Sequence, residues 1–561
     1  MIIDGIDECI VDLKSKYNIV GVIDCDDYIP TSVDLYNKIK KLHQTAYNPQ
    51  DRVVFLITKD WFRNSAGLML QSIQAMLNDV DISNFFACIV TTNQNIESEY
   101  AWVLKNISTD TVPIHLYACQ GPYQILSSDG QISFTKYQTL NHKIDNLSAD
   151  HKKLLFESNN FCMIPWVSMM IYTNSKVFPC CESSDAVGDC SDKSLKDIWN
   201  SDSMKKLRID MLHDKSNKSC NSCYTKEKLG RDSLRKSSNR RFSHHVAKID
   251  QTVSDGTLPK FELNYIDARF NNLCNLACRI CTPTNSTSWH QPAIVLGLID
   301  RTASPMLIAG KNQSDIYEQL LQTIDTVERI YFAGGEPLMI EQFYRIVEEL
   351  DRRGRHDVEL LYNINMTQSS LKNQSIFDVW KNFKKISIGA SLDGEGLRGE
   401  YLRTGTKWQD VIAFRKQMLS LRPDIDFYVS ATAYILNILH LPDFHQSWVE
   451  QGLIDAENFN VQVLFYPEYL RADSAPEYLK QQVRERYQQH LDWLRPKDRL
   501  GRAVFSFESV LKYMDSPRHF DSKLFWEKTN KLDAHHKHSL LDVFPELKNL
   551  PKYNYDTQLE R

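Results

Sequence analysis

Apolar positions along this chain follow two periods. Runs at 261–270 (FELNYIDARF), 327–332, 358–366, 385–392, 425–436 and 459–466 alternate or are continuously apolar over strand-like lengths. Between them the period becomes helical: Ile340, Phe343, Ile346, Val347 and Leu350 share one face. Such alternation predicts a parallel sheet with helices packed on it. The N-terminal part has a set of its own, at 18–24, 53–57, 85–91 and 112–117. These apolar runs read as buried parallel strands separated by helical patterns, which predicts a small doubly wound, Rossmann-like α/β domain. Residues 194–200 read as a short amphipathic helix. Beyond 467 the pattern turns helical and polar, with 540–547 (LLDVFPEL) as a closing cap.

At 561 residues the chain has room for three or four domains. Sixty-six Lys and Arg against 71 Asp and Glu give a net charge of −5, so nothing draws the whole chain toward nucleic acid. No 18-residue apolar run and no signal-like start are present, so no membrane association is expected. Asp24, Asp26 and Asp27 make an acidic turn at a strand end; no G-x-G-x-x-G and no P-loop accompany it. The first domain is expected to dock a substrate or partner.

Cysteine placement carries most of the chemistry. Of 13 cysteines, nine lie between Cys162 and Cys281. Cys274, Cys278 and Cys281 stand at C-x3-C-x2-C after the 261–270 strand. Three thiolates bind three irons of a four-iron cluster and leave the fourth open, whereas clusters normally take four cysteines. Ala333-Gly334-Gly335-Glu336-Pro337 follows the second strand, where glycines let backbone approach a ligand and a carboxylate can accept from an ammonium. Asn365 ends the third strand; Ser391 and Asp393 end the fourth, with Arg403 shortly after. An arginine suits a carboxylate because its guanidinium binds it bidentately.

These motifs resemble the radical S-adenosylmethionine (SAM) superfamily. The resemblance implies a partial (β/α)6 barrel over 258–470, with the chemistry at the C-terminal strand ends. It implies a [4Fe–4S] cluster on Cys274, Cys278 and Cys281 whose open iron binds SAM, and reductive cleavage to a 5′-deoxyadenosyl radical that abstracts hydrogen. Gly334, Gly335 and Glu336 match the segment that holds the methionyl amino group. Asn365 matches the ribose side, with Met366 where the family has glycine. Ser391, Asp393 and Arg403 match the positions holding carboxylate and ribose, and Val463 would flank the adenine. Ile280 replaces an aromatic residue common before the third cysteine.

A second set precedes this one. Cys162, the strand-end Cys180 and Cys220-x2-Cys223 resemble the SPASM/twitch auxiliary modules of the same superfamily, which usually follow the barrel. The resemblance implies a second, closed [4Fe–4S] cluster on Cys162, Cys180, Cys220 and Cys223; a four-thiolate zinc site is the alternative. Cys181 is a spare or the true ligand in place of Cys180, and Cys190 is structural. Asn174-Ser175 stands where the family has glycine. Cys9, Cys25, Cys88 and Cys119 read as buried thiols.

The expected organisation is an N-terminal α/β domain (1–145), the cysteine module with a basic linker (155–250), the barrel (258–470) and a helical cap (471–561). The linker holds eight Lys and Arg between 226 and 248, a solvated face or a groove for an acidic peptide. His244-His245 and His535-His536-x-His538 are polar-loop histidines rather than metal ligands. The resemblance implies a ribosomal peptide or protein substrate, or a small molecule, with no catalytic residue assigned on the substrate side. It also implies an electron donor such as flavodoxin or ferredoxin. Oxygen-sensitive clusters and free thiols imply a reducing cytoplasm. A non-catalytic iron–sulfur or zinc protein on the same scaffold is the reading from another class.

Overall fold

Each of the six strand runs becomes a strand, shorter than its apolar pattern by a few residues at the ends. A computed structural model describes residues 147–228, 233–310, 316–516 and 518–550, together with six strands nearer the N-terminus. The chain divides into two compact units, Met1–Asn146 and Leu147–Arg561.

In the first unit β1 (Asn18–Asp24), β2 (Asp51–Thr58), β3 (Phe85–Thr91) and β4 (Ile114–Ala118) form a parallel sheet in the order 1-2-3-4. A separate ribbon pairs β5 (Gln124–Leu126) with β6 (Ile132–Phe134). The expected strands are present, and the segments that connect them lie outside the described residues. A doubly wound sheet reverses its order at a switch point. The described order runs in one direction, without such a reversal. The acidic turn after Asp24 and the side chains of Cys9, Cys25, Cys88 and Cys119 lie outside the described residues.

The second unit begins its sheet with a meander, β7 (Ser168–Ile171), β8 (Lys176–Phe178) and β9 (Gly188–Asp189). Then come β10 (Tyr265–Ala268), β11 (Ala277–Cys278), β12 (Arg329–Phe332) and β13 (Glu359–Ile364). The short ribbon β14 (Ser370–Leu371) and β15 (Gln374–Ser375) follows, then β16 (Ile386–Ala390), β17 (Arg403–Thr404), β18 (Asp426–Ala433) and β19 (Phe459–Val463). One nine-stranded sheet runs β19-β18-β16-β13-β12-β10-β7-β8-β9. Its part from β10 to β19 is six parallel strands in chain order, with helices between them.

Burial alternates along these strands. In β13 and β18 every second residue is buried and the others are more exposed. The buried face meets helices such as Glu341–Arg352, which buries Phe343, Tyr344, Ile346, Val347 and Leu350. Phe343 sits edge-on to Phe270 and Phe332, at 5.2 and 4.9 Å between ring centres. The other face carries Tyr331, Asn363 and Tyr428, and this polar face is the one left for chemistry.

The cysteine-rich segment shares this sheet. β7 pairs in parallel with β10, Asp267 opposite Met170, so the first strand of the parallel series lies between β12 and the module. Arg208 ties the module together. It is fully buried, stacks on Trp199, and donates to the carbonyls of Pro165, Trp199 and Gly256 and to Asn200 Oδ1. Four of the linker's eight basic residues are paired within the protein, as Lys226–Glu182, Arg235–Glu227, Arg241–Glu359 and Lys248–Glu262. These pairs speak against an open groove for an acidic peptide. The C-terminal helices Glu477–Leu494, Arg502–Met514 and Ser522–His536 complete the unit, the second packing along β19 with Ser506 bonded to Asn460. Among the described residues no helix is long and apolar enough to cross a membrane.

Two buried imidazoles under β19 make stability pH-dependent. His445 Nε2 donates to the Ala456 carbonyl, so its Nδ1 accepts from His490 Nε2 at 3.0 Å. Burial pushes His445 down to about 3 and His490 down to about 4. Both bind protons more readily when unfolded, so their stabilisation is complete above pH 6.5. It is lost as pH falls toward 4, by about 1.4 kcal/mol per pH unit for each imidazole. Urea unfolding under anaerobic conditions should show this slope, and the double variant His445→Phe/His490→Leu should flatten it.

Candidate cofactor site and second cysteine cluster

Between β10 and β11 the chain from Asn271 to Leu276 has no regular ladder, so its polar backbone groups need partners from elsewhere. The segment after the third cysteine supplies them. Ser286 Oγ donates to the Leu276 carbonyl at 2.6 Å, and Thr287 and Ser288 hydroxyls donate to the Cys274 carbonyl. Trp289 Nε1 donates to the Cys278 carbonyl at 2.6 Å. Asn272 Nδ2 holds the Pro283 and Pro305 carbonyls. The sequence reading missed this support; its signal was a hydroxyl-rich run directly after an irregular cysteine loop.

The motifs expected around SAM converge on the same loop, in some cases for a different reason. A Cβ on Gly335 would come within 2.0 Å of the Leu273 carbonyl, and Glu336 N donates to that carbonyl at 2.7 Å. The cysteine loop itself therefore requires a glycine here. Gly334, with φ +119°, lies against Asn271 and Arg269. Glu336 is buried, and its two oxygens accept from Leu338 N at 3.2 Å and Asn365 N at 2.8 Å. Burial pushes its carboxyl up to about 7 against those bonds. A carboxylate has about four acceptor positions, so two remain for an ammonium. Asn365 Nδ2 donates to Asn275 Oδ1 at 2.9 Å and faces Cys274 Sγ at 4.0 Å. Met366 takes φ +60°, the left-handed region a glycine would occupy at no steric cost, and is fully buried.

Arg403 pairs with Cys278 across the β11–β17 ribbon. Its Nη1 lies 3.6 Å from Cys278 Sγ and its Nε 2.9 Å from Asp393 Oδ2. Asp393 is buried behind it and accepts from Thr432 N, so it orients the guanidinium. Ser391 follows β16, its N–H bonded to the Ile364 carbonyl. Val463 ends β19 and packs against the main core. From the far end of the chain, Asp533 receives Arg279 Nη2, the Tyr401 hydroxyl and Leu540 N, and Arg279 stacks on Tyr401 at 4.1 Å. This buried anchor was also missed by the sequence reading.

Burial pushes all three loop thiols up, Cys274 to about 12. Arg403 opposes that shift at Cys278. Thiols in such a site ionise when a strong cation replaces their protons. The donor set suits an iron–sulfur cluster with one open corner.

The second set also assembles. Cys162, Cys180, Cys220 and Cys223 line one partly open cavity with Ile164, Pro165, Leu207 and Met211. Cys181 is exposed and is not part of that lining, and Cys190 is buried elsewhere, bonded to the Ser175 carbonyl. Ser175 takes φ +66° at the turn where glycine was expected, and its hydroxyl accepts from Gly310 N. Arg235 closes the cavity, donating to Glu227 and to the carbonyls of Ser158 and Phe161. An N–H two residues on bonds back to sulfur at Cys162, Cys180 and Cys274 alike, a bond that favours the thiolate.

Spacing separates zinc from a larger cluster. Zinc–sulfur bonds of about 2.3 Å put tetrahedral thiolates about 3.8 Å apart. Among the described residues no three cysteine sulfurs lie within 4.8 Å of one another; only His244, His245 and Glu328 group that closely. There both imidazoles bond to the one carboxylate, at 2.8 and 2.9 Å, which accounts for the grouping without a metal.

The match to a known family falls on the second set. Residues 162–224 fit SPASM, an iron–sulfur cluster-binding domain. The resemblance read from the SPASM cysteines holds for this segment, placed ahead of the parallel series. No curated protein matches the chain. Among solved structures, native anSMEcpe with bound AdoMet is 16% identical, over 40% of this chain and 56% of its own, with a TM-score of 0.28. TYW1 with a lysine–pyruvate adduct bound is 12% identical, over 38% and 70%, with a TM-score of 0.21. The chain thus spans just over half of anSMEcpe.

In the Cys274→Ala/Cys278→Ala/Cys281→Ala variant the SPASM segment should retain about four irons with a four-thiolate cluster spectrum. One zinc and no iron after anaerobic purification would contradict the cluster. In that background Cys181→Ser should keep the iron and Cys180→Ser should lose it.

Proposed function

We propose that this chain is a radical SAM enzyme acting on a peptide or protein. A four-iron cluster on Cys274, Cys278 and Cys281 would supply, with SAM, the 5′-deoxyadenosyl radical that abstracts hydrogen. The observation that carries the reading is convergence: Glu336 and Asn365, following β12 and β13, and Arg403, from the short β17, close on one three-cysteine loop. A scaffold without a ligand there would have no use for a buried carboxylate with two acceptor positions left.

Each residue has a task that its surroundings support. Glu336 would take the methionyl ammonium, its orientation fixed by two backbone N–H groups. Arg403, held by Asp393, would meet the methionyl carboxylate, and Ser391, at the end of β16, would be a second group for it. Asn365 would face the ribose. The SPASM segment would carry a second cluster in electron transfer, its four thiolates leaving no corner for SAM. The substrate class rests on the SPASM resemblance, and a small-molecule substrate is the alternative. A flavodoxin or ferredoxin would supply the electron.

Anaerobic protein with dithionite and SAM should form 5′-deoxyadenosine, and the triple loop-cysteine variant should form none. Product from that variant would overturn the assignment. Glu336→Gln keeps the shape and removes the charge. It should weaken SAM binding in equilibrium dialysis by roughly 10–150-fold, the worth of about 1.5–3 kcal/mol for a charged hydrogen bond, with iron content unchanged. Because burial holds Glu336 near 7, SAM affinity in the wild type should rise as pH passes upward through that value.

A further inference from the structure

A cavity lies beside Asp393. Asp393, Glu395 and Arg398 form one wall, His440 and Asp443 another, and Phe544 of the segment 540–550 a third. Charged groups crowd around it. His440 Nε2 bonds to Glu546 of that segment, and Glu546 Oε2 lies 3.7 Å from Arg398 Nη2. His440 Nδ1 is buried, stands 3.7 Å from Asp443 Oδ2, and makes no hydrogen bond among the described residues. Arg486 also pairs with Asp443, and Glu395 accepts from Ser447.

The segment meets the cofactor site through the helix Gly396–Leu402, which runs directly into Arg403. Phe544 is fully buried, its ring 5.5 Å from Tyr401 and 5.7 Å from the Arg398 guanidinium. Arg403 in turn faces Cys278 and pairs with Asp393 on the cavity wall. Leu540, Phe544, Leu547 and Leu550 are buried and hold the segment whatever the charge on His440. Glu546 differs from these anchors, because its grip depends on a proton that an imidazole gains and loses near neutral pH. The cavity gives water a place to enter when that pair opens.

We propose that His440 and Glu546 form a proton-operated latch, which holds the segment 540–550 against the helix leading into Arg403 and so regulates how well the site takes SAM. The charged ring donates from Nε2 to Glu546 and turns Nδ1–H toward Asp443. A neutral ring has one N–H only, so one of the two carboxylates then faces a lone pair. Burial opposes the charged ring, but Asp443 and Glu546 outweigh burial and Arg398, and hold His440 above its ordinary value. When the segment releases, Glu546 leaves and the ring returns toward that value. The latch is therefore complete below the ordinary imidazole pKa of about 6.5 and weakens as pH rises through the raised one. Glu336 acts in the other direction, gaining charge as pH rises, so the two together give SAM binding an optimum instead of a plateau. The effect on SAM rests on the radical SAM reading; the latch itself does not.

Hydrogen exchange of the full-length, iron-loaded protein, read by mass spectrometry over residues 538–550, tests this. Protection factors remove the intrinsic pH dependence of exchange. One unit of pKa shift is worth about tenfold, so protection in the wild type should fall at least about threefold between roughly pH 6 and pH 9. The helix Glu341–Arg352 serves as the reference that stays level. In His440→Gln and in Glu546→Gln the fall should vanish, because neither variant keeps the titrating pair. Level protection of 538–550 in the wild type, or an undiminished fall in folded Glu546→Gln, would overturn the latch. Iron content and the reference helix report folding, and the wild-type series decides the matter even if a variant does not fold. At pH 7, equilibrium dialysis should show SAM binding at least about threefold weaker in Glu546→Gln, and unchanged affinity would overturn the coupling to Arg403. A failure of the radical reading appears as no SAM binding and no 5′-deoxyadenosine in the wild type, whereas a failure of the latch appears in the exchange.

Discussion

A buried loop with no ladder of its own is the constraint that organises this protein. The segment from Asn271 to Cys281 must present three sulfurs in fixed positions, yet it makes few hydrogen bonds within itself. Its carbonyls are met by Ser286, Thr287, Ser288 and Trp289 from one side and by the Gly334–Glu336 backbone from another. Arg403 and Thr404 pair with it as a ribbon, and Asp533 anchors it through Arg279. Unmet polar groups in such a place cost about 1–3 kcal/mol each, so these contacts are conditions for the loop's existence.

The same constraint explains why motif residues serve two ends. Gly335 is small because the cysteine loop crosses it at contact distance. Glu336 fixes the end of the third strand before it can meet any ligand. A larger residue at Gly335 would therefore disturb the sulfur positions, whereas Glu336→Gln keeps the shape at the strand end and changes the charge. Measurements of iron content and of ligand affinity separate the two effects.

Much of this was legible in the sequence because it is local. Strand runs of alternating burial, the Ser194-capped helix and the cysteine spacings are set by neighbours a few residues apart. The loop's supports were less legible for the opposite reason. Asp533 lies 254 residues from Arg279, and no periodicity links them. The order of the N-terminal strands was not legible either, because apolar runs give strands but not their order. Met366 and Ser175 were seen to replace expected glycines, but their left-handed backbone shows only in the structure.

The pairing of β7 with β10 has a consequence in time as well as space. From β7 through β10 to β19, neighbouring strands of the main sheet follow one another in the order of synthesis, with β8 and β9 on the other side of β7. The short antiparallel meander closes through nearby contacts, which form quickly. It then offers one free edge to the next strand to leave the ribosome. Each later strand adds to the outermost one, so the growing chain at any moment has a single template and a single place to dock. A module placed after the parallel series would leave its first strand without this start. Placed before it, the cysteine-rich segment acts as the seed on which the rest of the sheet is laid down.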